Sequence, residues 1–166
     1  MSRRAWTERQ VRAAVIARLV AEFEREDALD AESRMSVSTA PAPPEPIGAA
    51  SGLRGGLSGT CYVEVPSSLT TVYDGRLAGT VAASMPDAMV VRVTTYTQVA
   101  GQSTGTSYDT HLDRRRAIIR ALATVDDDAG ERLPVQSVRA AEEVQQGMAK
   151  TVIEAALIVR APIDAS

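Results

Sequence analysis

Between Met89 and Val99 the chain alternates so regularly that an extended strand is the one backbone conformation that sorts its side chains. Met89, Val91, Val93, Thr95, Thr97 and Val99 fall on one side, and Val90, Arg92, Thr94, Tyr96 and Gln98 on the other, because successive residues of a strand point to opposite faces. Neither side is wholly polar, since the second carries Val90 and Tyr96. Such a strand belongs in a sheet with a helix over one face and a second face able to meet another subunit. Upstream, Asp74-Gly75 is the dipeptide that type I′ turns favour, because both central residues take positive φ. It predicts a hairpin between Leu69–Tyr73 and Arg76–Ala83, and the long strand is read as starting after Pro86.

The flanking segments alternate between helical and extended patterns. Thr7 with Gln10 three residues on makes a capping box, and Val11, Val15, Leu19 and Phe23 recur at spacing four beside Ile16 and Val20, predicting a helix from Thr7 to Leu29. From Met35 to Gly59 the texture turns to Pro and Gly, with Pro41, Pro43, Pro44 and Pro46 unable to donate ladder hydrogen bonds; this reads as a long extended arm. Cys61 to Val65 is a short strand closed by Pro66. Gly101 to Ser107, GQSTGTS, reads as a projecting tip. A second helix follows from Asp109, its cap, to Val125, with Leu112, Ile118, Ile119, Leu122 and Val125 inward. Asp126 to Gly130 is a turn, and Val135–Val144 with Thr151–Ala161 form a last hairpin about Gln146-Gly147. The order predicts one α+β domain over residues 1–166. It has a mainly antiparallel sheet, both helices packed on one face, and residues 35–59 as the inserted arm.

Composition narrows the chemistry. Aromatic residues are 4% of the chain, so its core is aliphatic and thin, and a core of that kind gains from burying surface against sister copies. The net charge of −3 argues against a protein that grips nucleic acid over its whole surface. Cys61 is the sole cysteine and His111 the sole histidine, read as a surface helix residue, so no disulfide and no His-rich metal site is expected. No G-x-S-x-G elbow follows a strand, and GLRGGLSG lacks the strand, helix and Gly-Lys-Ser/Thr of a phosphate loop. Asp126, Asp127 and Asp128 lack the oxygen spacing of a calcium loop, and Arg114, Arg115 and Arg116 fan around a helix rather than lining one phosphate row. No catalytic, cofactor or metal site is therefore expected. No apolar run is long enough to span a membrane, and MSRRAWTERQ opens a charged amphipathic pattern in place of a signal-peptide core, so a soluble protein made in the cytoplasm is expected.

Three stretches resemble the tail terminator proteins of long-tailed bacteriophages, the lambda-type minor tail protein U group. They are Arg12-Ala13-Ala14-Val15 in the first helix, the turn Tyr73-Asp74-Gly75-Arg76, and Met85-Pro86-Asp87-Ala88-Met89-Val90-Val91 opening the long strand. The later helix, acidic turn and closing strands keep the same order. The Pro/Gly arm and a short strand after Gly101 depart from that pattern. The resemblance implies a virion protein at the tail-neck junction, a hexameric ring that ends tail-tube growth. Its partners would be sister copies, the tail tube protein and the head connector or stopper, with genomic DNA passing through the lumen unbound. Asp126, Asp127, Asp128, Gln102, Ser103 and Thr104 are then the candidates to face the lumen or tube. Val90, Arg92, Tyr96, Arg114, Arg115, Pro43 and Pro44 are the candidates to meet a neighbouring subunit. The rival readings are another head-tail connector or tube-like virion protein, an enzyme subunit whose site a partner completes, and an RNA-binding module using the triple Arg.

Overall fold

The computed structural model describes residues 6–25, 34–42, 59–66, 84–98, 106–126, 130–145 and 148–162. In chain order they form α1 (Glu8–Phe23), β1 (Ser36–Ser38), β2 (Thr60–Glu64), β3 (Ser84–Gln98), α2 (Thr106–Leu122), β4 (Val135–Gln145) and β5 (Met148–Pro162). The strands make one sheet in the order β1-β2-β3-β5-β4, with β1 parallel to β2 and every other pair antiparallel. The fold is α+β, as the order of patterns predicts.

β3 and β5 are the centre, paired without a break from Ser84 opposite Pro162 to Gln98 opposite Met148. On one face this register sets Met89, Val91 and Val93 beside Leu157, Ala155 and Ile153, and β2 adds Cys61 and Val63 to the same face. All are buried, in one cluster with the inner stripes of both helices. The second helix therefore lies on the same face as the first. Large aliphatic side chains fill this layer, with Phe23 and Trp6 at its margin.

Local chemistry fixes α1 at its start. The Gln10 amide N–H donates to Thr7 Oγ1 at 3.3 Å and the Thr7 N–H donates to Gln10 Oε1 at 2.8 Å, so the predicted capping box is present. The helix stops at Phe23, short of the predicted Leu29; Glu24 is its C-cap, and residues 26–29 lie outside those described. Arg12 ties α1 to the sheet, its Nε donating to Val63 O at 2.7 Å and its Nη2 to Thr39 O at 2.6 Å.

The two helices meet through a polar clamp. Glu22 is completely buried, yet it sits among guanidinium groups: Arg18 Nη2 is 2.9 Å from its Oε2, Arg25 Nη1 is 3.8 Å away, and Arg120 of α2 donates to its Oε1. Arg18 Nε also donates to Thr124 Oγ1 at 2.9 Å, beyond the end of α2. A lone buried carboxylate would be prohibitive, whereas one held by several charge-assisted hydrogen bonds locks the helix pair in one relative position.

Several expectations change. α2 starts at Thr106 instead of Asp109, which leaves Asp109 a first-turn acid and takes two residues of the predicted Gly101–Ser107 tip into the helix; it ends at Leu122, not Val125. Its inner stripe runs through His111, Arg114, Ala117, Ile118, Ala121 and Leu122 to Val125, all buried, while Leu112 and Ile119 lie at its flanks. β3 takes in Pro86, opposite Arg160 of β5, because the β2 pairing ends at Arg92 and no second described strand requires an N–H there. The start of the predicted arm also belongs to the sheet: Ser36 to Ser38 pair with Thr60 to Tyr62, while residues 43–58 and the predicted hairpin at 69–83 lie outside the described residues.

The clamp makes an asymmetric prediction. Glu22→Gln removes a buried charge but leaves arginines that reach water, lowering unfolding stability in urea by about 1–3 kcal/mol. Replacing Arg18 and Arg120 together by Ala leaves the buried carboxylate with the longer Arg25 contact at 3.8 Å in place of its two close partners and costs more, about 3–5 kcal/mol. Equal losses would show that Glu22 is not held as described.

Candidate functional site

Both helices lie on one face of the sheet. On the other, Tyr62, Thr94 and Tyr96 are buried while Val90, Arg92, Val152 and Glu154 stay half-exposed, so among the described residues this second face is the candidate surface for recognition. Its side chains stand in rows that cross the strands. One row runs Glu64, Arg92, Glu154, Arg139, each opposite the next in register, so the signs alternate from β2 to β4. Within it Arg92 Nε lies 3.5 Å from Glu154 Oε1. The next row, Tyr62, Thr94, Val152, Ala141, carries no charge, and beyond it Tyr96, Lys150 and Glu143 make a third. Directly opposed charges in neighbouring strands favour one register over its alternatives, although exposed pairs add little net stability. Tyr62 and Tyr96 pack edge to face with centroids 6.4 Å apart.

The sheet ends differently on its two sides. β1 is a three-residue strand, and Ser36 N–H donates to Gly59 O at 2.9 Å while Gly59 N–H donates to Tyr96 O at 3.2 Å. Gly59 has φ +86°, a conformation that L side chains resist, so a glycine belongs at this junction. β4 is an eleven-residue strand, paired with β5 alone among the described residues, and Gln136 through Glu143 are exposed on both faces. Val138 is 37% exposed on the helix side, where the helices do not cover it. α2 reaches β4 at Glu142, where His111 Nε2 lies 2.9 Å from Oε1 and Arg115 Nη1 donates to Oε2 at 2.8 Å. One carboxylate thus anchors the edge, leaving Arg139 and Glu143 directed from the opposite face.

The residues singled out from sequence fall in different places. Val90 and Arg92 are half-buried on the outer face, whereas Tyr96 on that face is only 2% exposed. Arg114 is buried on the helix side, its Nη1 donating to Thr97 Oγ1 at 3.2 Å, and Arg115 is occupied by Glu142. Asp126 closes its own turn, bridging Arg132 in the backbone and accepting from Arg132 Nε at 3.2 Å. Asp127, Asp128, Gln102, Ser103, Thr104, Pro43 and Pro44 lie outside the described residues. His111, expected on the surface, is 1% exposed. The imidazole is enclosed, with its Nε2 facing Glu142 of β4. Sequence reasoning missed Arg139 and Glu143, whose signal is the spacing of opposite charges at same-face positions of one strand.

No protein-family model matches the chain, and no curated protein matches it. Among solved structures, a crystal structure from Akkermansia muciniphila aligns with a TM-score of 0.30 at 11% identity, over 98% of this chain and 84% of that one. A likeness at that level carries no argument about fold or function.

Cys61 lies in the sheet's buried face, and burial pushes its thiol up from 9.0 to about 12. Iodoacetamide at pH 8 should leave the native protein unlabelled and modify it in urea, because both thiolate and access are withheld. The folded pKa is the higher one, so this contribution to stability is intact below pH 9 and is lost as pH rises from 9 towards 12. In that window wild-type stability should fall more steeply than that of Cys61→Ala, by roughly 1.4 kcal/mol per pH unit. Parallel pH profiles would contradict a buried thiol.

Proposed function

We propose that this chain is a structural virion protein of a tailed phage, a subunit of a ring, hexameric in the resemblance, that ends tail-tube growth at the neck and joins tail to head connector. The observation that carries the reading is the sheet's outer face. Arg92, Val152, Glu154, Ala156 and Ile158 stay half-exposed there, in a continuous mixed surface that neither helix covers. A partly apolar face with ordered charges suits a contact between copies better than free exposure to water.

The order of elements supports the same reading. An N-terminal helix, a long central strand, a second helix and a closing hairpin succeed one another as the resemblance requires. A ring subunit needs two different surfaces that meet around a closed circle, and the outer face with Val90 and Arg92 is one of them. The acidic balance of the chain, −3 overall, suits a lumen that lets DNA slide through without holding it.

Native mass spectrometry with negative-stain imaging tests the proposal, on the protein alone and after mixing with purified tail tubes. Closed rings, or rings that form on tube ends and stop their elongation, are the expected outcome. A chain that stays monomeric in both settings while tubes keep growing would refute the assignment.

A further inference from the structure

We propose that the β4 edge is a docking site for the β4 edge of a second copy, the two strands running antiparallel about a two-fold axis through Ala141. The contact goes beyond the ring reading and does not depend on it: it pairs copies whether or not the pairs go on to build a ring.

Geometry leaves few registers. When two identical sheet edges pair about a two-fold axis, the axis stands perpendicular to the sheet, so like faces stay on like sides and the axis passes a residue of each strand. Residues equidistant from that point then face each other. With the axis at Ala141, Arg139 faces Glu143 of the second copy and Glu143 faces its Arg139, two opposite-charge pairs on the outer face. Glu142, already held by His111 and Arg115, faces Ala140, which is small enough to leave it undisturbed. Moving the axis to Ala140 sets Arg139 against Ala141 and leaves the charges unmatched. Moving it to Glu142 sets two buried-side carboxylates against each other. One register alone satisfies the charges.

The rows crossing the sheet point the same way. Glu64, Arg92, Glu154 and Arg139 alternate in sign and stop at the edge on a cation, whereas the row through Lys150 stops there on an anion, Glu143. Across the proposed axis each row continues into the other: after Arg139 come Glu143 and then Lys150 of the second copy. The uncharged row through Val152 and Ala141 lies on the axis itself. Edge charges that merely repel other strands need no such order, since any unpaired charge serves that purpose. The irregularity between Val135 and Ser137 marks where the pairing would end.

A charge swap tests this. Arg139→Glu places acids opposite acids in its own dimer, and Glu143→Arg places cations opposite cations, so each variant alone should dimerise roughly tenfold more weakly than wild type in sedimentation velocity. Mixed together the two variants should recover wild-type association, because each supplies the sign the other lacks. Far-UV circular dichroism confirms folding, which these exposed positions leave intact. As a second measurement, Ala141→Cys should give a disulfide-linked dimer under mild oxidation, while Ala140→Cys should not, since that position does not meet itself; the native thiol of Cys61 is buried. Single variants that associate like wild type, a mixture no tighter than its components, or an Ala141→Cys protein that stays unlinked would each overturn the proposal.

Discussion

Everything in this fold hangs on the register between β3 and β5. Because strand side chains alternate with a period of two, a slip of β5 by one residue against β3 would carry Glu154 and Lys150 into the core and turn Ile153 and Leu157 out to solvent. The penalty would be charged groups without partners in an apolar layer. A long uninterrupted ladder amplifies that discrimination, since every pair votes for the same alignment. β2 and β4 then take their places on either side, and the helices have a single apolar face on which to settle.

On that face, an interior poor in aromatic residues is held together partly by arginine. Glu22 joins α1 to α2, Arg114 joins α2 to Thr97 of β3, and Glu142 of β4 is grasped by His111 and Arg115. Each of these bonds links two different elements, and each needs a specific angle between them. The planar, permanently charged guanidinium suits such positions because its donors are fixed in a fork. Aliphatic burial supplies the drive to collapse, and it is indifferent to small shifts. The polar contacts select one arrangement of helices over the sheet.

The same contacts explain what could be read from the chain and what could not. The alternation at Met89 to Thr97, the capping box at Thr7 and the closing hairpin are local signals, carried by residues whose neighbours in sequence decide their structure. The fold class followed from them. The inner face of α2 was misread because periodicity counts apolar residues, and His111 and Arg114 occupy inward positions as partners of groups far along the chain. Ser36 to Ser38 read as loop, since a three-residue parallel strand exists only by virtue of β2. Most consequential for recognition, nothing local distinguishes a central strand from an edge. β5 alternates cleanly and lies inside, β4 carries Arg139, Glu142 and Glu143 and lies outside, and only the pairing of β5 with both β3 and β4 reveals the difference.

That difference gives the sheet two unlike ends. The β1 end is short, its junction is sealed by Gly59, and the carbonyl of Thr39 just beyond it is taken up by Arg12, so little backbone is left to template another strand. The β4 end is long, an eleven-residue strand with one irregularity between Val135 and Ser137. An anchored edge loses little freedom when a partner arrives, because Glu142 already fixes β4 against α2 from the helix side. The charges that remain, Arg139 and Glu143, are on the other side and take no part in that anchoring. Among the described residues β4 is held from its helix side while no strand pairs with its outer edge, which separates folding from recognition within a single element. The inner face of β4 answers to its own helix, and its outer charges are left to answer to another molecule.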